Sequence, residues 1–212
     1  MIHEVLACGA LQCNCSVLAD ETSNQAIVVD PGDGADLARI QSLLATRGWK
    51  VTAIVITHAH IDHIGGAAKL KQATGAPVFL HAADQNLYGM LDAQAQWLGM
   101  PTPPQTEIDV HPSDADTIPF GSGPITVLHT PGHTQGSLCL WLPTQNLLLA
   151  GDTLFQGSIG RTDLPGGDHA AILRSIHSKL LTLPESALVI PGHGPSTTIA
   201  REREFNPWLQ RL

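Results

Sequence analysis

The chain has 212 residues, 43% hydrophobic and 14% charged, the balance of an ordinary packed globular protein with enough apolar surface for a sizeable core. A net charge of −8, with histidine neutral, argues against nucleic acid as the main partner, because phosphate recognition rests on clustered Lys and Arg. The 11 histidines equal Lys and Arg together, and histidine is the commonest side-chain ligand of zinc-like metals.

Along the chain, Met1–Cys8 lacks the basic-then-apolar pattern of an export signal. Ile2–Cys8, Cys13–Ala19 and Ala26–Val29 read as strands, the last stopped by Asp30-Pro-Gly32. A helix follows through Leu37, Ile40, Leu43 and Leu44, with Asp33 as its cap and Gly48 as its stop. Ala53–Ile56 is a β-branched strand running into Thr57-His58. Gly66–Thr74 reads as a helix ending at Gly75, Pro77–Leu80 as a strand, and Ala82–Leu98 as one helical stretch before the proline-rich Gly99–Pro104. Strands return at Ile125–His129, Ser137–Leu142 and Leu147–Ala150. Asp168–Leu183 is a second helix, Leu188–Ile190 a last strand, and Ile199–Leu212 a polar helix broken at Asn206-Pro207. Strands followed by βα units in each half fit two sheets packed face to face with helices outside, in a single domain over residues 1–212. No apolar run is long enough to span a bilayer. Cys8, Cys13, Cys15 and Cys139 read as free thiols, so the expected location is the cytoplasm, with no membrane partner.

The chemistry concentrates in His58-Ala-His60-Ile-Asp62-His63-Ile-Gly65-Gly66. In an extended segment residues two apart face the same side, so His58 and His60 can reach one ion. Glycines then permit a turn, past which Asp62 and His63 can address a second. Imidazole and carboxylate donors suit zinc, iron(II) or manganese rather than calcium. Each later candidate has a plainer alternative: His133 as a surface histidine, Asp152 as a turn aspartate, His193 as a loop residue. Each nevertheless follows a predicted strand, where loops converge on sites. His3, His111, His169 and His177 read as surface residues, and either His81 or His129 could stand beside a ligand.

Thr57-His-Ala-His-Ile-Asp-His63, Thr130-Pro-Gly-His133, Gly151-Asp152 and Pro191-Gly-His193 resemble, in order and spacing, the metal motifs of the metallo-β-lactamase superfamily. The resemblance implies an α+β fold, a four-layer αββα sandwich. It also implies two divalent metal ions per chain, zinc first and iron or manganese as alternatives. His58, His60 and His133 would hold one ion, Asp62, His63 and His193 the other, and Asp152 would bridge them. Asp62 and Asp152 are thereby the implied catalytic carboxylates.

Gly151–Asp168 and Ile190–Pro207 further resemble the short bacterial glyoxalase II branch, the hydroxyacylglutathione hydrolases, which cleave S-D-lactoylglutathione to D-lactate and glutathione. The expected partner is therefore a small-molecule thioester, attacked by hydroxide bridging the metals. Coordination lowers the pKa of water to roughly 7. Against the longer enzymes of the family, the expectation is that their basic glutathione-binding segment is missing after His193. Arg161 is the candidate cation for a substrate carboxylate; its alternative is a structural bond to Asp163 or to backbone. The rival resemblance is to iron-dependent persulfide dioxygenases, which share the Gly-Arg-Thr-Asp loop. Gly192-His-Gly194 looks hydrolase-like instead. Hydrolysis of another ester or thioester is a further alternative.

Overall fold

The computed structural model describes residues 1–121 and 123–210. The chain forms two compact units.

The first unit comprises Met1–Pro112 and returns near Phe120. Its five-stranded mixed sheet has the order β1-β2-β3-β4-β5: β1 (Ile2–Cys8), β2 (Cys13–Asp20), β3 (Gln25–Val29), β4 (Lys50–Val55) and β5 (Val78–Phe79). β1, β2 and β3 pair antiparallel; β4 joins β3, and β5 joins β4, in parallel. Helix α1 (Leu37–Arg47) makes the β3–β4 crossover and ends at Gly48 with φ 67°, the left-handed cap that glycine adopts at no steric cost. Its N-cap is Asp36, not Asp33, and neither carboxylate caps it. Asp36 accepts the Gly9 N–H and Asp33 the Ala10 and Ala35 N–H groups, so both bind neighbouring loops. One turn of helix, α2 (Ile61–Ile64), follows β4, and α3 (Ala67–Thr74) leads to β5.

The single helix expected over Ala82–Leu98 is three pieces: a 3₁₀ turn Ala82–Asp84, α4 (Gln85–Tyr88) and α5 (Leu91–Leu98). Gly89 and Met90 interrupt a hydrophobic period that looks continuous. Apolar residues such as Val17, Val28, Ile40, Ile54, Ile56, Leu70, Val78 and Leu91 form the core of this unit. Leu91 is fully buried, and burying such a side chain contributes roughly 1.5–3 kcal/mol.

The second unit begins with Ser113–Pro119 and continues from Gly123. Its six-stranded sheet runs β13-β12-β9-β8-β7-β6. The strands are β6 (Thr117–Ile118), β7 (Ile125–His129), β8 (Leu138–Leu142), β9 (Leu147–Gly151), β12 (Leu188–Pro191) and β13 (Thr197–Thr198). Every pair is antiparallel except β9 with β12. The two-residue strands β10 (Leu154–Phe155) and β11 (Ser158–Ile159) make a separate hairpin. They are too short to show a period, as are β6 and β13, and none of the four is expected from the sequence. Helix α6 (His169–Ser175) is capped by Asp168, whose side chain accepts the Ala171 N–H, and continues as a π turn over Ile176–Leu180. Helix α7 (Ile199–Phe205) stops before Asn206-Pro207, at the expected break; residues 211 and 212 of the longer helix expected there lie outside the described residues. Leu148, Ala150, Leu154, Ile172, Ile176, Val189 and Ile199 form the core here. Among the described residues no helix is long and apolar enough to cross a membrane.

Candidate metal centre

In the first unit the candidate ligands follow β4. His60 keeps an extended backbone (φ −74°, ψ 146°), and α2 then turns the chain so that Asp62 and His63 sit on one helical turn. The His58 and His60 rings meet edge to face at 4.7 Å, and those of His58 and His63 lie 4.0 Å apart. Three imidazoles thus bunch at the end of one strand. His58 and His63 are buried; Asp62 is 8% exposed.

A buried carboxylate from the Asp30-Pro-Gly32 turn organises them. Asp30 follows β3 with φ 51°, a left-handed conformation costly for a non-glycine residue and tolerated best by Asn and Asp. Its Oδ1 accepts the Thr57 N–H at 2.7 Å. Its Oδ2 accepts the Thr57 hydroxyl at 2.7 Å and lies 2.8 Å from His63 Nδ1. Carboxylate oxygens accept, so Nδ1 of His63 carries the hydrogen and Nε2 keeps its lone pair. The Thr57 hydroxyl hydrogen is spent on Asp30, so the 3.1 Å contact between Thr57 Oγ1 and His58 Nδ1 is donation from the ring. His58 therefore presents Nε2 as well. Cys13 Sγ lies 3.6 Å from His63 Nδ1. Burial pushes its thiol up to about 12, against a lowering by His63, so it stays protonated there.

In the second unit three loops carry the candidates. Parallel β9 and β12 end side by side, Pro191 opposite Gly151, and Gly192 N–H bonds to Gly151 O at 2.8 Å. That pairing sets Asp152 beside His193. His133 follows the tight turn after β7. Gly132 there has φ 139°, and a Cβ on it would sit 2.2 Å from the Ile172 nitrogen. His133 Nδ1 donates to the Arg161 carbonyl at 2.8 Å, which again leaves Nε2 with the lone pair. Gly160, one residue earlier, packs so closely that a Cβ would stand 1.9 Å from the Asp152 carbonyl oxygen and 3.1 Å from His133 Cβ. Thr130 and Thr153 join their hydroxyls at 3.0 Å, tying the start of the His133 turn to the residue after Asp152.

The donors within each unit fit a bound cation. His133 Nε2 and His193 Nε2 stand 3.6 and 3.8 Å from Asp152 Oδ2, and His63 Nε2 stands 3.6 Å from Asp62 Oδ2. These gaps exceed a hydrogen bond. They match about 3.4 Å, the separation of two ligand atoms each about 2.1 Å from one tetrahedral ion.

Arg161 is exposed, and its Nε and Nη2 both bond Asp163 at 2.8 Å. The bond to Asp163 weighed as its structural alternative thus occurs, while its main-chain carbonyl accepts from His133. His81 caps the turn before α4 through the Ala83 N–H, and His129 Nε2 contacts the Gln135 carbonyl. His111 and His169 are exposed, as expected. His3 and His177 are not plain surface residues. His3 is half-buried against Ser16 Oγ at 3.0 Å, and burial lowers its pKa despite Glu4; the half-buried His177 places Nε2 out of reach of solvent. Thr57 opens the histidine motif, and Gly160 and Arg161 open the Gly-Arg-Thr-Asp loop, but neither motif marks these supporting roles. Asp30 stands in an Asp-Pro-Gly that looks like any strand-ending turn.

The family model of the metallo-beta-lactamase superfamily matches residues 8–193. The hydroxyacylglutathione hydrolase GloC of Haemophilus influenzae is 36% identical, over 97% of each chain. The "Probable metallo-hydrolase YqgX" of Bacillus subtilis is 38% identical, over 95% of this chain and 94% of that one. Among solved structures, the BLEG-1 B3 metallo-beta-lactamase superposes with a TM-score of 0.90 at 36% identity, covering 98% of this chain and 99% of that one. TTHA1623 in a di-iron-bound form gives 0.85 at 39%, covering 97% and 100%. ETHE1 from Myxococcus xanthus gives 0.82 at 27%, covering 98% and 84%. Members of this superfamily bind divalent metals and are mostly metal-dependent hydrolases. With its α+β fold of two large sheets and helices, the chain belongs to the metallo-β-lactamase superfamily.

Proposed function

We propose that this protein is a metal-dependent thioester hydrolase that cleaves S-D-lactoylglutathione to D-lactate and glutathione. His58, His60, Asp62, His63, His133, Asp152 and His193 are its ligands to two divalent cations, in the assignment that the family resemblance implies. The observation that carries the metal reading is the locked presentation of Nε2. His58, His63 and His133 each spend Nδ1 on Thr57, Asp30 or the Arg161 carbonyl. GloC, a hydroxyacylglutathione hydrolase by name, supports the substrate.

When bound, two such cations supply an activated water at neutral pH and polarise the thioester carbonyl. The chain's own part is placement. Asp152, held by the Gly160 contact, and Asp62, on its helical turn, are the carboxylates that orient the water, and the other Asp62 oxygen, Oδ1, takes its proton. A thiolate leaves readily, so no strong general acid is needed. Arg161 meets the substrate carboxylate by exchanging Asp163 for it. Neither a nucleic acid nor a membrane is a partner in this reading, and the protein works in the cytoplasm.

Metal analysis of the purified protein, alongside hydrolysis of a panel of glutathione and coenzyme A thioesters, tests it. Two equivalents of zinc, iron or manganese with turnover of S-D-lactoylglutathione are expected; metal-loaded protein without thioesterase activity overturns the substrate. A second reading, the iron-dependent persulfide dioxygenase, draws on the likeness to ETHE1. Oxygen uptake on glutathione persulfide by the iron-loaded protein, without thioester hydrolysis, would establish it.

A further inference from the structure

The main chain that carries His58 and His60 runs past the end of its sheet. Ile56 N–H still bonds to Phe79 O at 2.9 Å, but the neighbouring strand β5 ends at Phe79. Two side chains take over. Asp84, 1% exposed, accepts the Ala59 N–H on Oδ2 at 2.9 Å. It stands at the N-cap position of α4 yet makes no side-chain cap there. Gln94, on α5, accepts the Ile61 N–H on Oε1 at 2.9 Å and donates from Nε2 to Ala59 O at 3.2 Å and Leu87 O at 3.1 Å. Its amide reaches one carbonyl and the N–H two residues on, as a residue in a parallel ladder does.

We propose that Asp84 and Gln94 are positioning residues for the metal ligands His58 and His60, replacing the ladder that the sheet no longer provides. The bonded groups belong to the peptides on either side of His60 and to the residue between the two histidines. A rotation of either peptide would turn one imidazole off the shared side that an extended segment gives them. With a carboxylate and an amide bound to these groups, rotation leaves buried donors and an acceptor unmet, which is costly. The same bonds keep the segment extended up to α2, where Asp62 and His63 begin. This inference rests on the metal-ligand reading above.

Zinc affinity of the full chain, measured by chelator competition, tests it. Wild-type protein is measured first, with zinc, iron(II) and manganese in turn: failure to bind any of them overturns the metal reading and this inference with it. Given wild-type binding, Gln94→Ala and Asp84→Ala should each raise the zinc Kd about 10- to 100-fold. Asp84→Asn, whose side-chain oxygen still accepts the Ala59 N–H, should recover most of that loss. Tyr88→Phe is the control. It removes hydrogen bonds between the Tyr88 hydroxyl and Thr106 in the same unit, neither of which is made to the histidine run. It should lower the Tm of the metal-free protein and leave zinc Kd unchanged. Wild-type zinc affinity in Gln94→Ala, or an equal loss in Tyr88→Phe, overturns the inference while leaving the metal reading intact. Should Asp84→Ala not fold, the comparison of Gln94→Ala with Tyr88→Phe decides.

Discussion

In the first unit four candidate ligands come from one run, His58 to His63, and side chains hold that run: Asp30, Thr57, Asp84 and Gln94. In the second, three ligands come from three loops, held largely by main chain: the Arg161 carbonyl on His133, Gly192 N–H on Gly151, and Gly160 against the Asp152 carbonyl. The difference teaches where each half is vulnerable. A side-chain bond can be replaced by another side chain of similar donors and acceptors. A main-chain contact at van der Waals distance admits no side chain at all.

Removing ligands should affect both halves alike and sets the upper bound. His58→Ala and Asp152→Ala should each lower hydrolysis by at least about 100-fold, the order seen when one group stabilising a transition state is lost. Each unit has its own apolar core, so circular dichroism should show the folds intact, and chelation should do the same to wild-type protein. Unfolding of either variant at room temperature would make the metals structural.

Gly160→Ala breaks the second half by backbone alone. A methyl 1.9 Å from the Asp152 carbonyl oxygen must displace main chain, at about 1–3 kcal/mol or more. Thermal unfolding should show that loss, and metal affinity should fall too. A variant as stable as wild type would mean the loop yields freely and the comparison fails.

Asp30→Asn sharpens the first half. Asparagine tolerates the φ of 51° and keeps one acceptor oxygen, but its NH2 cannot accept: placed toward the Thr57 N–H it opposes that donor, and placed toward the Thr57 hydroxyl and His63 Nδ1 it leaves His63 without its acceptor. Metal affinity should fall about 10- to 100-fold with the fold preserved. Unchanged affinity would show that His63 needs no fixed tautomer.

Arg161→Ala should have the smallest effect on metal binding, because the contact to His133 is main chain and survives the substitution. It should weaken turnover of glutathione thioesters more than that of a small neutral thioester; equal losses would reject Arg161 as a carboxylate anchor. The partner contact also has a pH signature. Hydrogen bonds from Arg161 hold the exposed Asp163 carboxyl down at about 2. A depressed carboxylate contributes above its unfolded value of about 3.9 and stops contributing as pH falls through its folded value. An NMR titration should therefore find the Arg161–Asp163 contact intact at neutral pH and lost only near pH 2; loss with an unshifted midpoint would mean the pair does not persist in solution.

The legible part of this protein is local. β1, β2, the core of α1 and the run His58–His63 could be read because alternation, helical period and close ligand spacing are properties of neighbouring residues. His133, Asp152 and His193 were legible as motifs, though not why they are held as they are. The break at Gly89-Met90 and the two-residue strands were not legible, since short elements show no period and draw their stability from partners elsewhere in the chain. Nor were Asp30, Asp84 and Gln94, which lie 28 residues before His58 and 25 and 33 residues after Ala59 and Ile61. Sequence by itself determined which donors exist and at what spacing. Only the tertiary structure decided which nitrogen His58, His63 and His133 present, because a tautomer is set by the group that accepts the other nitrogen's hydrogen, and folding alone brings that group into reach.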